Sequence, residues 1–109
     1  MVDRRLEFHE MLCEVLNITG EPDGDRHVYF QPPESLKMKY EAIRYTRKSI
    51  PSIYANNSIY KSKTCYEVIL ISRDPDCKYI SRLLLLPYSN YDRHYVADNL
   101  HHDVFTIYH

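Results

Sequence analysis

The segment Thr64–Ser72 constrains the fold of this chain more than any other. It contains Val68–Ile71, which together with Leu83–Leu86 is the longest apolar run in the sequence. A short apolar run of this kind, rich in β-branched residues, is typical of a strand that is covered on both faces. The segment therefore predicts the central strand of a sheet. Neither run approaches the ~20 apolar residues that are needed to cross a bilayer, so we expect no membrane partner.

Two amphipathic helices are predicted around this strand. Asp3–Leu16 places its apolar residues on one helical face, at positions 8, 11, 12, 15 and 16. Gly20 is a plausible stop for this helix. Asp74 followed by Pro75 is a typical helix start, and it predicts a helix over Pro75–Leu86 that ends before Pro87. We expect this second helix to bury the stripe Ile80, Leu83 and Leu84.

The remaining strands are indicated by alternation and by turn residues. Asp98-Asn99 predicts a tight turn between the last two strands. Four strands are expected besides the central one: His27–Gln31, Glu41–Arg47, Tyr91–Ala97 and His102–Tyr108. The resulting order, α-β-β-β-α-β-β, predicts an α+β fold, a mostly antiparallel sheet with two helices packed on it. With 109 residues in total, we expect a single domain over residues 1–109.

Composition excludes some functions and favours others. The net charge is −1, and no run of Lys or Arg is longer than two, which argues against a dedicated nucleic-acid module. The chain has 11 Tyr and no Trp, and Tyr suits both strands and subunit contacts. The cysteines, Cys13, Cys65 and Cys77, are widely spaced, so free thiols in a reducing cytoplasm are expected rather than disulfides or a zinc site.

One cluster of polar residues near the C-terminus has side chains of the types that catalysis uses. Imidazoles and carboxylates together can bind a metal or transfer protons, and a hairpin at Asp98-Asn99 would bring His94 close to His101 or His102. The spacing of these residues does not form a complete ligand set, so a polar hairpin is the favoured interpretation. Asp74 and Asp76 could also bind a metal, but helix capping accounts for both of them. Glu67 lies in the middle of a predicted strand, without the nearby Lys that such a strand would carry in a metal-dependent nuclease. We therefore expect no enzyme, no cofactor and no metal site. The members of the cluster are Asp92, His94, Asp98, His101, His102 and Asp103.

The stretch between the second and third strands is the better functional candidate. Lys48–Lys63 is rich in Ser, Asn, Tyr and Lys and has no clear periodicity. Within it, Ser49–Tyr60 mixes tyrosines with small polar residues, a composition that makes adaptable contacts with partners. A connection of this length is usually functional or disordered, so an ordinary surface loop stays open as the alternative. The candidate contact residues are Tyr54, Asn56, Asn57 and Tyr60.

Three segments and the order of elements resemble the tail-terminator, or tail-completion, proteins of long-tailed bacteriophages. The segments are Val28–Pro33, Met38–Tyr45 and Tyr91–Leu100. One departure is Glu41, since the commonest version of this plan has Pro there, which affects only local geometry. The segments contain no catalytic motif.

The resemblance implies a virion structural protein without catalysis. Such proteins form a hexameric ring on the end of the tail tube, stop its polymerisation, and present the surface that joins the head. The implied partners are further copies of the chain, the tail tube protein and a head-completion or connector protein. DNA would pass through the lumen without specific binding, and assembly would take place in the bacterial host cytoplasm.

Two other functions are kept as alternatives. One is another head–tail connector or neck adaptor protein. The other is a small metal-dependent enzyme or a regulatory binding module that uses the His-rich C-terminal hairpin.

Overall fold

The computed structural model describes residues 5–18, 21–22, 24, 26–33, 40–49 and 64–109. In these ranges the chain forms two helices and five strands in the predicted order, so the predicted α+β fold is confirmed. The elements are α1 (Arg5–Leu16), β1 (Val28–Phe30), β2 (Ala42–Ser49), β3 (Cys65–Ser72), α2 (Tyr79–Leu84), β4 (Ser89–Ala97) and β5 (Leu100–Tyr108).

The strands form one sheet in the order β1-β2-β3-β5-β4. β1 pairs with β2 in parallel, and the other neighbouring pairs are antiparallel. β3 lies in the middle, as its apolar run predicts. Val68 and Leu70 are buried on one of its faces, and Ile69 and Ile71 on the other.

The main core lies between the two helices and one face of the sheet, the helix-covered face. Its centre is aromatic, because the ring of Phe8 from α1 stacks on Tyr66 at 4.5 Å and meets Tyr45 edge-on at 5.6 Å. Such pairs stabilise a core beyond the area that they bury. The other buried members are Leu12, Cys13, Val15, Leu16, Val28, Ile43, Val68, Leu70, Cys77, Leu83, Phe105 and Ile107.

The opposite face of the sheet carries a smaller apolar cluster. Ile69, Ile71 and Val104 are buried at its centre. Tyr95 and Leu100 from the last hairpin are partly buried against it. β3 and β5 therefore contribute apolar side chains to both faces of the sheet.

The second helix is shorter than predicted. It begins at Tyr79, with Lys78 at the N-cap position and no side-chain cap, because the Asp74 carboxylate accepts the backbone N–H of Asp76 at 2.9 Å. This local turn competes with helix formation, so the prediction that Asp74 caps the helix is wrong.

The buried stripe of α2 is also corrected in part. Leu83 is fully buried, as predicted, and Ile80 is partly buried, but Leu84 is 45% exposed. The residues of this segment that face the core are spaced by three, at Ile80, Leu83 and Leu86. Leu84 lies next to this face rather than on it.

The first helix ends at Leu16, before the predicted stop at Gly20. Asn17 takes a left-handed conformation, with φ of 52°, and its N–H donates to the carbonyl of Cys13 at 2.8 Å. Asn tolerates this conformation and satisfies the last turn as Gly often does. Asp3 and Gly20 lie outside the described residues.

Candidate functional site

The hairpin of β2 and β3 is paired up to the ends of both strands. Ser49, the last residue of β2, pairs with Cys65, the first residue of β3. Thr64 then exchanges two backbone hydrogen bonds of 2.9 Å with His109, next to β5. Antiparallel neighbours can be joined by two residues, so the pairing of the sheet does not require residues 50–63. We call residues 50–63 the connecting segment.

The predicted contact residues belong to this connecting segment. Tyr54, Asn56, Asn57 and Tyr60 lie outside the residues that the structure describes. What the structure provides is the base from which they extend, the ends of β2 and β3. The expectation that they contact a partner stays a prediction.

Two arginines surround an aromatic ring close to this base. The guanidinium of Arg5 lies 4.4 Å from the ring centre of Phe30, and that of Arg47 lies 5.4 Å from it. The backbone N–H of Arg47 also donates to the side-chain oxygen of Gln31 at 3.1 Å. These cation–π contacts connect α1, β1 and β2 and hold the end of the hairpin against the rest of the fold.

The second candidate region is the hairpin of β4 and β5, which turns at Asp98-Asn99 as predicted. Both turn residues have positive φ, 52° and 61°, the conformation that matches the twist of a two-residue hairpin. His94 Nε2 and His101 Nδ1 come to 3.1 Å, with the two rings stacked at 5.3 Å. The predicted approach of His94 and His101 is therefore confirmed.

His102 does not join this pair. Its register partner is Tyr95, and the two rings stack at 4.6 Å on the opposite face of the sheet. Its Nδ1 donates to the carbonyl of Leu100 at 3.0 Å. Because neighbouring residues of a strand point to opposite faces, only one of the consecutive histidines His101 and His102 can face His94.

A bulge at Asp92 decides which side chains of β4 share a face. The register with β5 shifts between Tyr91 and Arg93. Tyr91 therefore pairs with Phe105, and His94 pairs with Asp103. Simple alternation would have put Tyr91 and His94 on opposite faces, whereas the bulge puts both on the helix-covered face.

Asp103 is a buried carboxylate on that face. Tyr91 donates its hydroxyl to Oδ1 of Asp103 at 2.8 Å, and Oδ2 is buried with no hydrogen-bond partner among the described residues. Loss of hydration, the hydrogen bond and the negative charge of Asp103 raise the pKa of Tyr91 to about 12. Tyr91 therefore keeps its proton at ordinary pH and acts as the donor that stabilises the carboxylate.

A second polar cluster lies beside α2, around the carboxylate of Glu41. Glu41 Oε2 accepts hydrogen bonds from the hydroxyl of Ser72 and from the thiol of Cys77, the latter at 3.7 Å. Burial raises the pKa of Cys77, which opposes formation of the reactive thiolate. A cleft of about 250 Å³ lies here, lined by Glu41, Asp74, Asp76, Cys77, Lys78 and Tyr79.

No sequence pattern reveals this cluster, because Glu41 lies 31 residues before Ser72 and 36 residues before Cys77. The sequence contains a signal for the position of Asp103, because this residue alternates in phase with Phe105 and Ile107, which are core residues. An acidic residue in such an apolar series is a signal for a buried polar contact. Its partner, Tyr91, was hidden by the bulge.

The cysteines are separate and buried. Cys13, Cys65 and Cys77 are all free, as predicted. Burial also raises the pKa of Cys13. In the ranges that the structure describes, no group of three or more His, Cys, Asp or Glu side chains is arranged to hold a metal ion.

Comparisons of the chain with models of protein families, with curated proteins and with solved structures found no match. Among the described residues, neither helix has the length and apolar character that a membrane span requires. The function must therefore be argued from the residues and from the geometry above.

Proposed function

We propose that this chain is a structural protein of a long-tailed bacteriophage virion, a tail terminator that forms a ring on the end of the tail tube. In that position it ends polymerisation of the tube and presents a surface to the head. The proposal rests on the resemblance of three sequence segments to this family. The order α-β-β-β-α-β-β of the elements is compatible with the plan of the family.

One structural observation supports the proposal most directly. β2 and β3 pair through Ser49 and Cys65, so the pairing of the two strands does not require the connecting segment between them. A long segment that the fold does not require is usually functional or disordered. Its tyrosines, Tyr54 and Tyr60, are the residue type that anchors subunit interfaces. We therefore assign the connecting segment as the assembly arm.

A closed ring needs two different contact surfaces on each copy, because its interfaces are heterologous. The assembly arm supplies one surface. The outer edge of β4 is the candidate for the other, since β4 pairs only with β5 among the described residues and most of its side chains are exposed. The exposed aromatic and apolar residues along this side are Tyr88, Tyr91 and Val96.

The polar clusters of the described residues favour assembly over catalysis. The Glu41 carboxylate accepts hydrogen bonds from Ser72 and Cys77. The Asp103 carboxylate accepts one from Tyr91, and the Asp74 carboxylate accepts one from the backbone of its own turn. Each carboxylate thus has a partner that stabilises the fold. The near-neutral charge of the chain also suits a ring through which DNA must pass without being retained by its phosphates.

The decisive variant replaces Tyr54 and Tyr60 together with alanine. Interface tyrosines commonly contribute more than ~1 kcal/mol each, and a ring repeats that loss in every copy. We expect a soluble, folded protein that fails to complement a phage lacking the gene and yields tails of abnormal length or heads without tails. Electron microscopy of the lysates measures this.

The matched control replaces Ser52 and Ser58 with alanine in the same segment, and it should complement normally. Circular dichroism of both variants establishes that they fold. A normal virion yield from the tyrosine double variant would remove the assembly arm from the mechanism.

Negative-stain images of wild-type protein mixed with tail tubes then separate the two head–tail roles, because a terminator binds tube ends and an adaptor binds the head connector.

A further inference from the structure

The two histidines at the β4–β5 hairpin have the geometry of a metal chelate. His94 Nε2 and His101 Nδ1 are 3.1 Å apart. Two imidazole nitrogens bound to one ion, each ~2.0–2.1 Å from it, reach this separation at an angle of about 100°. That angle lies between the right angle of square-planar copper or nickel and the tetrahedral angle of zinc. We propose that His94 and His101 bind one divalent transition-metal ion per chain.

The surroundings of the pair favour a cation. His94 lies directly across the ladder from Asp103, and His101 lies on the same face, two residues away from it along β5. Asp103 is buried, and its Oδ2 has no hydrogen-bond partner among the described residues. This incompletely compensated negative charge lowers the energy of a positive ion bound nearby.

The chemistry requires only a shift of tautomer. In the present contact one imidazole donates an N–H to the other nitrogen. Each neutral ring carries one proton and has one free lone pair. When both lone pairs face the ion, each ring keeps its proton on the other nitrogen, so two neutral histidines release no proton. His94 is exposed and His101 is partly exposed, so both rings have room for a small rotation.

The site is expected to be exchangeable, with two protein ligands and water in the other positions. Structural zinc sites use four protein ligands and catalytic sites three, whereas the described residues supply two here. The sequence predicts no metal site because it contains no complete ligand set. His94 and His101 form a site with fewer ligands, which arises only from the register of the hairpin. Binding would also connect β4 to β5 and stabilise the hairpin.

The test is calorimetric titration of untagged protein with zinc chloride. Wild type should bind one ion per chain. His94→Gln and His101→Gln should each weaken binding at least tenfold, because each leaves a single histidine ligand, and the double variant, which has neither ligand, should show no binding at the hairpin. His9→Gln is the matched control, since His9 is a partly buried histidine on α1 that contacts only Tyr45 among the described rings; it should bind like wild type.

Thermal unfolding gives a second measurement. An ion that binds the folded state only raises Tm, and this rise should vanish in both single variants and persist in His9→Gln. The proposal is overturned by absence of zinc binding at millimolar concentration, or by binding that survives either single substitution. Half an ion per chain with dimers in sedimentation velocity would also overturn it, because the ion would then bridge two copies. None of these outcomes depends on the role in phage assembly.

Discussion

The two antiparallel hairpins of the sheet are both paired to their ends, yet very different lengths of chain close them. Ala97 pairs with Leu100 across the two-residue turn Asp98-Asn99. Ser49 pairs with Cys65, and residues 50–64 lie between them. The first hairpin is as short as antiparallel geometry allows, and the second contains a segment that the sheet does not need. Strand pairing therefore does not set the length of the second connection.

The two hairpins also differ in the burial of β2 and β4, the strands that pair with the two central strands β3 and β5. β2 is built into the core, with Ala42, Ile43 and Tyr45 fully buried. β4 is largely exposed, and Val96 is 57% accessible. The hairpin with the long connection is thus the more deeply buried of the two, and the hairpin with the tight turn lies at the edge of the sheet. At the base of the connecting segment, Thr64 and Cys65 on the β3 side are buried, whereas Lys48 on the β2 side is exposed.

The largest expected effect is on the buried strand. Tyr45→Ala should lower the free energy of unfolding by about 3–5 kcal/mol, because it leaves a cavity among Phe8, Phe30 and Tyr66. Val96→Ala on β4 should change it by less than about 0.5 kcal/mol, since exposed sites contribute little. Chemical denaturation measures both. Equal losses at the two sites would show that β4 is as firmly packed as β2.

A smaller effect is expected at the tight turn. Asn99→Val should lower the free energy of unfolding by about 1–2 kcal/mol, because a β-branched residue is strained at the positive φ of 61°. Asn99→Gly is the control and should leave stability nearly unchanged, since Gly adopts this conformation freely. The denaturation midpoints of the two variants decide the matter. If valine were tolerated as well as glycine, the turn would not have the geometry described.

The smallest effect is expected from shortening the long connection. Replacing residues 51–62 with a four-residue Gly-Ser linker should change the free energy of unfolding by less than about 1 kcal/mol, because loop-closure entropy varies slowly with length. The same protein should fail to assemble if the assembly arm acts as proposed. Thermal melts and complementation are measured on one preparation. A shortened protein that does not fold would mean that the connecting segment also stabilises the domain.

Much of the fold could be predicted because its signals are local. The apolar run Val68–Ile71 marks a strand buried on both faces, and Asp98-Asn99 marks a two-residue turn. The apolar spacing around Phe8 marks an inward helical face. Each signal depends on residues that are close together in the sequence. The local backbone geometry of a helix, strand or turn therefore follows directly from it.

The candidate sites could be predicted only in part, because they depend on register and packing between distant segments. The bulge at Asp92 has no clear sequence signature, yet it alone places Tyr91 and His94 on the face of Asp103. Glu41 meets Ser72 and Cys77 only because β2 lies beside β3 and α2 begins late. The Asp74 carboxylate could cap a helix or a turn, and in the folded protein it caps the turn at Asp76. Periodicity along the chain thus specified the order of the elements and the inward face of α1, whereas the alignment of one strand against another determined which polar side chains meet.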